Sequence, residues 1–127
     1  MARGVDQILD TGAHVAVTVA ASGTAKSGPI DLAGGISAQG FFSLQVVATG
    51  NAGVLTFSYE LSNDGTNYVT PASATNIATG VSKTSGPGSA GVHMFSFSPM
   101  IARYIKIVAT ETGGAANVTI TTRLVYQ

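Results

Sequence analysis

The side chains with the most scope for binding chemistry lie in one short segment, residues 61–69, which reads LSNDGTNYV. Asp64 supplies a carboxylate, Asn67 an amide and Tyr68 an aromatic ring with a hydroxyl group. A carboxylate and an amide form hydrogen bonds with sugar hydroxyl groups, and an aromatic ring packs against the apolar face of a sugar. These three residues are therefore the candidate ligand-binding residues.

The same segment is also typical of a structural turn. Asn and Asp side chains cap turns by accepting hydrogen bonds from backbone N–H groups two residues further on, and Gly65 suits the left-handed corner of such a turn. A calcium ion takes about six to eight oxygen ligands, whereas this segment offers only the Asp64 carboxylate and the amides of Asn63 and Asn67. The sequence therefore favours a turn over a cation site and leaves ligand binding as the alternative.

The residues that carry out catalysis in enzymes form no recognisable motif in this chain. Cysteine is absent, and the two histidines, His14 and His93, both fall on predicted strands, where a lone histidine is usually structural. Neither a G-x-S-x-G motif nor a histidine pair with zinc-binding spacing occurs. The six carboxylates show no pairing pattern; they are Asp6, Asp10, Asp31, Glu60, Asp64 and Glu111. We therefore predict a protein that is not an enzyme, with no catalytic residue, no metal site and no cofactor.

Charge is scarce in this sequence. Charged residues make up 9% of the chain, and the six basic and six acidic residues cancel, whereas about 25% of an ordinary soluble domain is charged. A nucleic-acid-binding protein usually presents a basic face, and we expect neither nucleic acid nor a membrane as a partner. A neutral surface rich in Ser, Thr and Gly costs little to desolvate, so we expect protein neighbours to cover much of it. The alternative is a monomer with a neutral surface.

Apolar and polar residues alternate along most of the chain, which is the pattern of β-strands with one buried face. Glycine-rich segments at 50–53 and 112–116 predict tight links between strands. The predicted fold is an all-β, antiparallel β-sandwich of the jelly-roll type with about seven or eight strands, and a small β-barrel is the alternative. Strands are predicted near residues 15–19, 42–48, 55–61, 95–98, 104–109 and 118–124, with a short edge strand near Ile30 and Leu32.

Two segments fall outside the alternating pattern. Residues 1–13 are predicted to form an N-terminal arm, and residues 14–127 are predicted to form a single β-sandwich domain. Residues 70–91, which are rich in Ser, Thr, Ala and Gly, are predicted to form a long loop with room for one short strand near residues 76–81. Arms and long loops are the parts of a subunit that reach its neighbours in an assembly, so the predicted contact elements are the arm from Arg3 to Leu9 and the 70–91 loop.

Two stretches of the chain resemble jelly-roll modules of the galactose-binding-like or discoidin type. Residues 62–68, SNDGTNY, resemble the S-x-D-G-x-x-aromatic turn that ends a strand in those modules, and residues 103–107, RYIKI, resemble a pattern on a later strand. The resemblance implies the jelly-roll fold. Discoidin-type domains usually have a cysteine pair and a tryptophan in this turn, whereas this chain has Tyr68 and no cysteine, so no ligand residue is carried over.

The same pairing of turn and strand, together with the composition, also resembles small all-β bacteriophage virion proteins. The resemblance implies a non-enzymatic structural protein, made in the host cytoplasm and located in the virion. A capsid decoration or cement subunit is the first choice, and a neck or tail component is the second. Its partners would be copies of itself and a major capsid or other virion protein. The alternative function is a carbohydrate-binding or host-adhesion β-sandwich module, with Asp64, Asn67 and Tyr68 as the ligand residues; a domain of a larger enzyme is a third reading.

Overall fold

The computed structural model describes residues 9–32, 42–50, 53–72, 74–82, 91–114 and 116–126. Within these ranges the chain forms nine β-strands, which confirms the predicted all-β class. The strands are β1 (Leu9–Val19), β2 (Thr24–Lys26), β3 (Ile30–Asp31), β4 (Phe42–Gly50), β5 (Leu55–Ser62), β6 (Ala78–Val81), β7 (Val92–Phe97), β8 (Tyr104–Glu111) and β9 (Val118–Tyr126).

The strands form two antiparallel sheets that face each other. Sheet A has the strand order β1-β9-β4-β7, and sheet B has the order β2-β8-β5-β6, with β3 also paired to β8. The two sheets are hydrogen-bonded separately, so the described strands form the predicted sandwich rather than the alternative, a closed barrel. Sandwich architecture follows from the alternation, because each strand presents one apolar face and the two sets of apolar faces must cover each other.

The hydrophobic core lies between the two sheets. Along β5 the burial of side chains alternates from residue to residue, as the sequence predicted. Fully burying a side chain such as Leu, Ile or Phe stabilises a fold by about 1.5–3 kcal/mol. The apolar side chains of valine size or larger with less than 2% exposure are Leu44, Val46, Leu55, Phe57, Ile105, Ile107, Val118, Ile120 and Leu124, together with Val19 at the end of β1.

The two glycine-rich links do not join neighbouring strands. β4 and β9 belong to sheet A, whereas β5 and β8 belong to sheet B, so each link crosses from one sheet to the other. A Cβ atom at Gly53 would collide with Cγ2 of Val118, so the first of these crossings requires a glycine where it passes the start of β9. Alternation predicts that one strand follows another, but it does not specify which sheet each strand joins.

Both segments that fall outside the alternating pattern, residues 1–13 and 70–91, contribute residues to β-strands. Residues 9–13 of the predicted arm lie in β1, which pairs with β9, while residues 1–8 lie outside the described residues. The pairing of β1 is interrupted on either side of His14, and such bulges disturb the alternation by which a strand is recognised. The predicted loop at 70–91 contains the short strand β6, and its residues 73 and 83–90 are not described.

The connections between strands lie at two opposite ends of the sandwich. Val19 pairs with Val118 in sheet A, and Leu55 pairs with Glu111 in sheet B; the links that follow these pairs form what we call the Glu111 end. Ser62 pairs with Tyr104 at the other end of sheet B. The connections 63–77 and 98–103 extend from there, and we call this region the cleft end.

Candidate functional site

The segment after β5 forms a closed turn at the cleft end. The Leu61 amide donates to the Val69 carbonyl at 2.9 Å, and the Val69 amide donates to the Leu61 carbonyl at 3.0 Å. Gly65 has a positive φ of 76°, the left-handed conformation that the sequence predicted for it. A Cβ atom at Gly65 would lie 3.2 Å from Cε2 of Tyr104, so the turn packs closely on the start of β8.

The Asp64 carboxylate is held by its own turn. Oδ1 accepts hydrogen bonds from the backbone amides of Thr66 at 2.9 Å and Asn67 at 2.8 Å, and from the Ser62 hydroxyl at 2.9 Å. Oδ2 accepts one from the Asn67 side-chain amide at 2.8 Å. These bonds, led by the one from the Asn67 backbone, hold the pKa of Asp64 well below its usual value. Asp64 is therefore ionised, and most of its acceptor capacity stabilises the turn.

Tyr68 lies on the outer face of sheet B, apart from the other two candidate residues. Its ring is half-buried, and Nζ of Lys106 lies 4.1 Å from the ring centroid, where a cation covers one face of the ring. The Tyr68 hydroxyl oxygen is buried and has no hydrogen-bond partner among the described residues. Burial, with smaller contributions from Tyr104 and Asp64, raises the pKa of Tyr68. The structure therefore brings Asp64 and Asn67 together, and turns Tyr68 towards Lys106.

Asp64 and Asn67 line a cleft of about 270 Å³ between the two connections of the cleft end. The opposite side of the cleft is apolar and exposed: Met100 is 64% exposed and Ile101 is 91% exposed. Exposed apolar side chains beside convergent polar groups are typical of a binding site. The remaining lining residues are Leu61, Ser62, Asn63, Val69, Pro71 and Ala102.

Hydrogen bonds fix the two walls of the cleft relative to each other. The side-chain oxygen of Asn63, in the turn, accepts a hydrogen bond from the backbone amide of Arg103 at 2.9 Å. The Arg103 guanidinium in turn forms a two-pronged ion pair with Asp31 of β3, with N–O distances of 3.1 and 3.3 Å. Bidentate pairs of this kind have a defined geometry. The cleft is therefore pre-organised by contacts that a ligand does not need to supply.

The opposite end contains a carboxylate that the sequence did not single out, Glu111. Its side chain is 1% exposed and accepts four backbone hydrogen bonds, from Ser22 at 2.9 Å, Val54 at 3.0 Å, Gly113 at 2.9 Å and Gly114 at 2.7 Å. These bonds, chiefly those from Ser22 and Val54, lower the pKa of Glu111 to about 2. Glu111 is buried and its oxygens are occupied, so its role is structural. The sequence feature that could have identified Glu111 is its position at the end of an apolar strand, directly before the T-G-G turn at residues 112–114.

Both histidines are buried and serve the fold. Nδ1 of His14 lies 2.7 Å from the Thr122 hydroxyl, and Nε2 lies 3.2 Å from the carbonyl of Ala25, which assigns the proton of a neutral ring to Nε2. Burial lowers the pKa of His14. Nε2 of His93 lies 2.9 Å from the Ser82 carbonyl. In the described part of the chain, no three acidic or histidine side chains form a group that could hold a metal ion.

The comparison with known families agrees with the fold and with the turn. The model of the F5/8 type C domain matches residues 37–123, which is more than half of the chain. The chain therefore belongs to the F5/8 type C domain family, a class of carbohydrate-binding and adhesion-type modules. Both stretches that resemble discoidin-type modules, residues 62–68 and 103–107, lie within the matched region. The chain matches no curated protein. No helix within the described ranges has the length and apolar character needed to span a membrane.

Proposed function

We propose that this chain is a non-catalytic module that binds carbohydrate through its cleft end. The observation that carries the proposal is the cleft itself, which sets the polar pair Asp64 and Asn67 opposite the exposed apolar residues Met100 and Ile101. A sugar ring has a rim of hydroxyl groups and a face of C–H groups, and it is complementary to a site with one polar and one apolar side. Membership of the F5/8 type C family supports the same function.

The polar side of the cleft retains hydrogen-bonding capacity for a ligand. A carboxylate oxygen can accept about two hydrogen bonds. Within the described structure, Oδ2 of Asp64 accepts only the bond from Asn67, which leaves one position for a sugar hydroxyl. The Asn67 amide uses one N–H group in that bond and has a second N–H group and an oxygen for the ligand. Adjacent donors and acceptors of this kind match two neighbouring hydroxyl groups on one sugar.

The affinity of one cleft for one sugar is expected to be low. A hexose has about 12 non-hydrogen atoms, and at about 0.3 kcal/mol per atom its binding free energy is roughly 4 kcal/mol, or a Kd on the order of 1 mM. Adhesion through such sites requires several copies that act together, because linked sites gain affinity without new contacts.

A glycan array with matched variants tests the proposal. Asn67→Ala and Ile101→Ser are expected to weaken binding at least about tenfold, since each removes one of the two residues on its side of the cleft. Val15→Ser is the control, because Val15 is 75% exposed and lies on β1, outside the cleft lining. Tyr68→Ala tests the remaining ligand residue that the sequence predicted. Absence of binding to any glycan, or unchanged binding by both cleft variants, would contradict the proposal.

A role as a bacteriophage virion structural protein is the second candidate function, and one surface favours it. On the outer face of β4, β7 and β9, Arg123 is the one charged residue among the described positions. A neutral face of this kind is cheap to desolvate against a copy of itself or a shell protein, and a specific interface buries roughly 1,600 Å² in total. The proposed setting is a virion assembled in the host cytoplasm, with the protein as a capsid decoration subunit or a neck or tail component.

Sedimentation velocity and the composition of purified particles test this second role. Val47→Lys places a charge on the neutral face and is expected to shift an oligomer towards monomer. Thr56→Lys, on the outer face of sheet B, is the control and is expected to leave the distribution unchanged. A monomeric wild-type chain that is also missing from virus particles would exclude this role and leave the carbohydrate proposal intact.

A further inference from the structure

A second concavity adjoins the cleft. It has a volume of about 330 Å³ and shares two lining residues, Pro71 and Met100, with the cleft. The two concavities are therefore adjacent, with Pro71 and Met100 at their common border between the 63–77 and 98–103 connections, and we call the pair the two-part groove. The other residues that line its second part are Tyr59, Ala74, Thr75, Ser98 and Pro99.

The second part of the groove rests on well-packed structure. Its floor includes Tyr59 of β5, which is 7% exposed and packs on Phe97 with 5.7 Å between ring centroids. Its wall is a turn in which the Ala74 amide donates to the Pro71 carbonyl at 2.9 Å. The connection returns to the sheet where the Ile77 amide donates to the Phe57 carbonyl at 2.7 Å. A ligand would therefore find this part already formed, which reduces the entropy cost of binding.

The groove is mostly apolar in its first part and mixed polar and apolar in its second, and it is almost uncharged. Thr75 and Ser98 contribute exposed hydroxyl groups to the second part, as Asp64 and Asn67 contribute a carboxylate and an amide to the first. No Lys, Arg or His is among the described lining residues of either part. Carboxylate, sulfate and phosphate groups are bound chiefly by cationic side chains. The groove therefore suits a ligand with many hydroxyl groups and no charge.

We propose that the two-part groove binds a neutral oligosaccharide chain, with one sugar residue in each part and Met100 between them. This inference rests on the proposed carbohydrate-binding function and specifies the ligand class. Pockets that enclose a drug-sized ligand have volumes of about 300–1,000 Å³, so each part alone suits one sugar ring and the pair suits a chain. A second sugar adds contacts without the full cost of a second association, so chains bind more tightly than single sugars.

Calorimetric titration with glucose, galactose and mannose chains of one to six residues tests the inference, with oligogalacturonate as the anionic comparison. We expect the Kd for the preferred sugar to fall at least about tenfold from one residue to two or three, and then to level off. Thr75→Trp fills the second part and is expected to remove this gain while leaving the Kd for the single sugar unchanged. Thr79→Trp, at an exposed position of β6, is the control.

Ser98→Ala gives a milder test that leaves the shape of the groove unchanged. Loss of one hydroxyl group is expected to weaken binding of the chain about threefold to tenfold, and binding of the single sugar by less than twofold. Equal affinity for one sugar and for chains, or tighter binding of oligogalacturonate than of every neutral chain, would overturn this inference while carbohydrate binding itself stood. If no sugar of any length binds, the proposed function fails first and the inference fails with it.

Discussion

The two ends of the sandwich use the same chemical device for different purposes. At each end a carboxylate accepts hydrogen bonds from backbone amides. Glu111 collects amides that are distant in the sequence, from Ser22, 89 positions away, and from Val54, 57 positions away. Asp64 collects its backbone amides from residues at most three positions away. The first carboxylate therefore joins separate connections of the fold, and the second shapes only its own turn.

This difference determines which end can bind a ligand. Glu111 is buried, and all its hydrogen bonds come from the chain, so the Glu111 end is committed to holding the two sheets together. The Asp64 carboxylate is satisfied within its own turn, which contacts the 98–103 connection through Asn63 and Arg103. Asp64 and Asn67 remain exposed at the rim of the cleft. Loops supported by a rigid scaffold are where binding sites are usually found. We expect mutations at the Glu111 end to change stability, and mutations at the cleft end to change binding.

The largest effect is expected for Glu111→Gln. The substitution keeps the size of the side chain but removes the charge and places an N–H₂ group against backbone donors, so several hydrogen bonds are lost. We expect the midpoint of thermal unfolding to fall by on the order of 10 °C, measured by calorimetry. Glu60→Gln is the control, because Glu60 is only half-buried and pairs with the exposed Lys26. Similar midpoints for the two variants would show that the Glu111 network does not support the fold.

The stability difference between wild type and Glu111→Gln should depend on pH. The pKa of Glu111 is about 2 in the folded chain, below its ordinary value of 4.5, so folding favours the ionised form. The contribution of Glu111 is therefore complete above about pH 5 and is lost as the pH falls through 4.5 towards 2. The difference in free energy of unfolding between wild type and Glu111→Gln, from denaturant titrations, should shrink across this range. A difference that stays constant from pH 7 to pH 2 would contradict the assignment.

Asp64→Ala should have a smaller effect on stability and a larger one on binding. The variant loses the hydrogen bonds inside one exposed turn, so we expect the unfolding midpoint to fall by only about 2–5 °C. Hydrogen exchange should accelerate at the amides of Thr66 and Asn67, which Asp64 holds in the native turn. Thr66→Ala, which leaves these backbone bonds in place, is the control. A loss of stability as large as that of Glu111→Gln would remove the contrast between the two ends.

The smallest expected effect is at Tyr68. Tyr68→Phe removes a buried hydroxyl group that has no partner in the described structure, so the unfolding midpoint should stay unchanged or rise by about 1–3 °C. Tyr126→Phe is the matched comparison, because its hydroxyl donates to the Asp31 carbonyl at 3.4 Å, and its removal should lower the midpoint slightly. A clear loss of stability in Tyr68→Phe would show that the hydroxyl is satisfied.

The sequence predicted those features that neighbouring residues determine. Alternation along β5 and β9 identified strands with one buried face, and two sets of such strands predict a sandwich. The turn at residues 61–69 was also predictable, since Asp64 and Gly65 act within a few positions of each other. The sequence also named Asp64 and Asn67 as candidate ligand residues, and the structure places them in contact. What these features share is that each can be recognised from residues within a short stretch of chain.

Features that depend on distant segments were not predictable in the same way. Glu111 is satisfied by backbone amides, and an amide at Ser22 or Val54 leaves no signature in the residue types. The Tyr68 ring, in the turn after β5, is covered by Lys106 of β8. The orientation of the ring therefore follows only from the assembled sheet. The apolar side of the cleft depends on Met100 and Ile101 reaching the turn from a separate connection.

The pairing of the first described strand with the last has a consequence for how the molecule is made. In the described sheets β1 pairs along its length with β9 alone, and β9 also pairs with β4 at the centre of sheet A. A ribosome synthesises the chain from the amino end, so β1 stays unpaired, and β4 is paired only with β7, until β9 has been made. Folding of this domain is therefore expected to be completed only after β9 has been synthesised, and to be slow. Until β9 is available, the unpaired edge and the exposed apolar side chains of the earlier strands make the newly synthesised chain prone to aggregation and a substrate for chaperones.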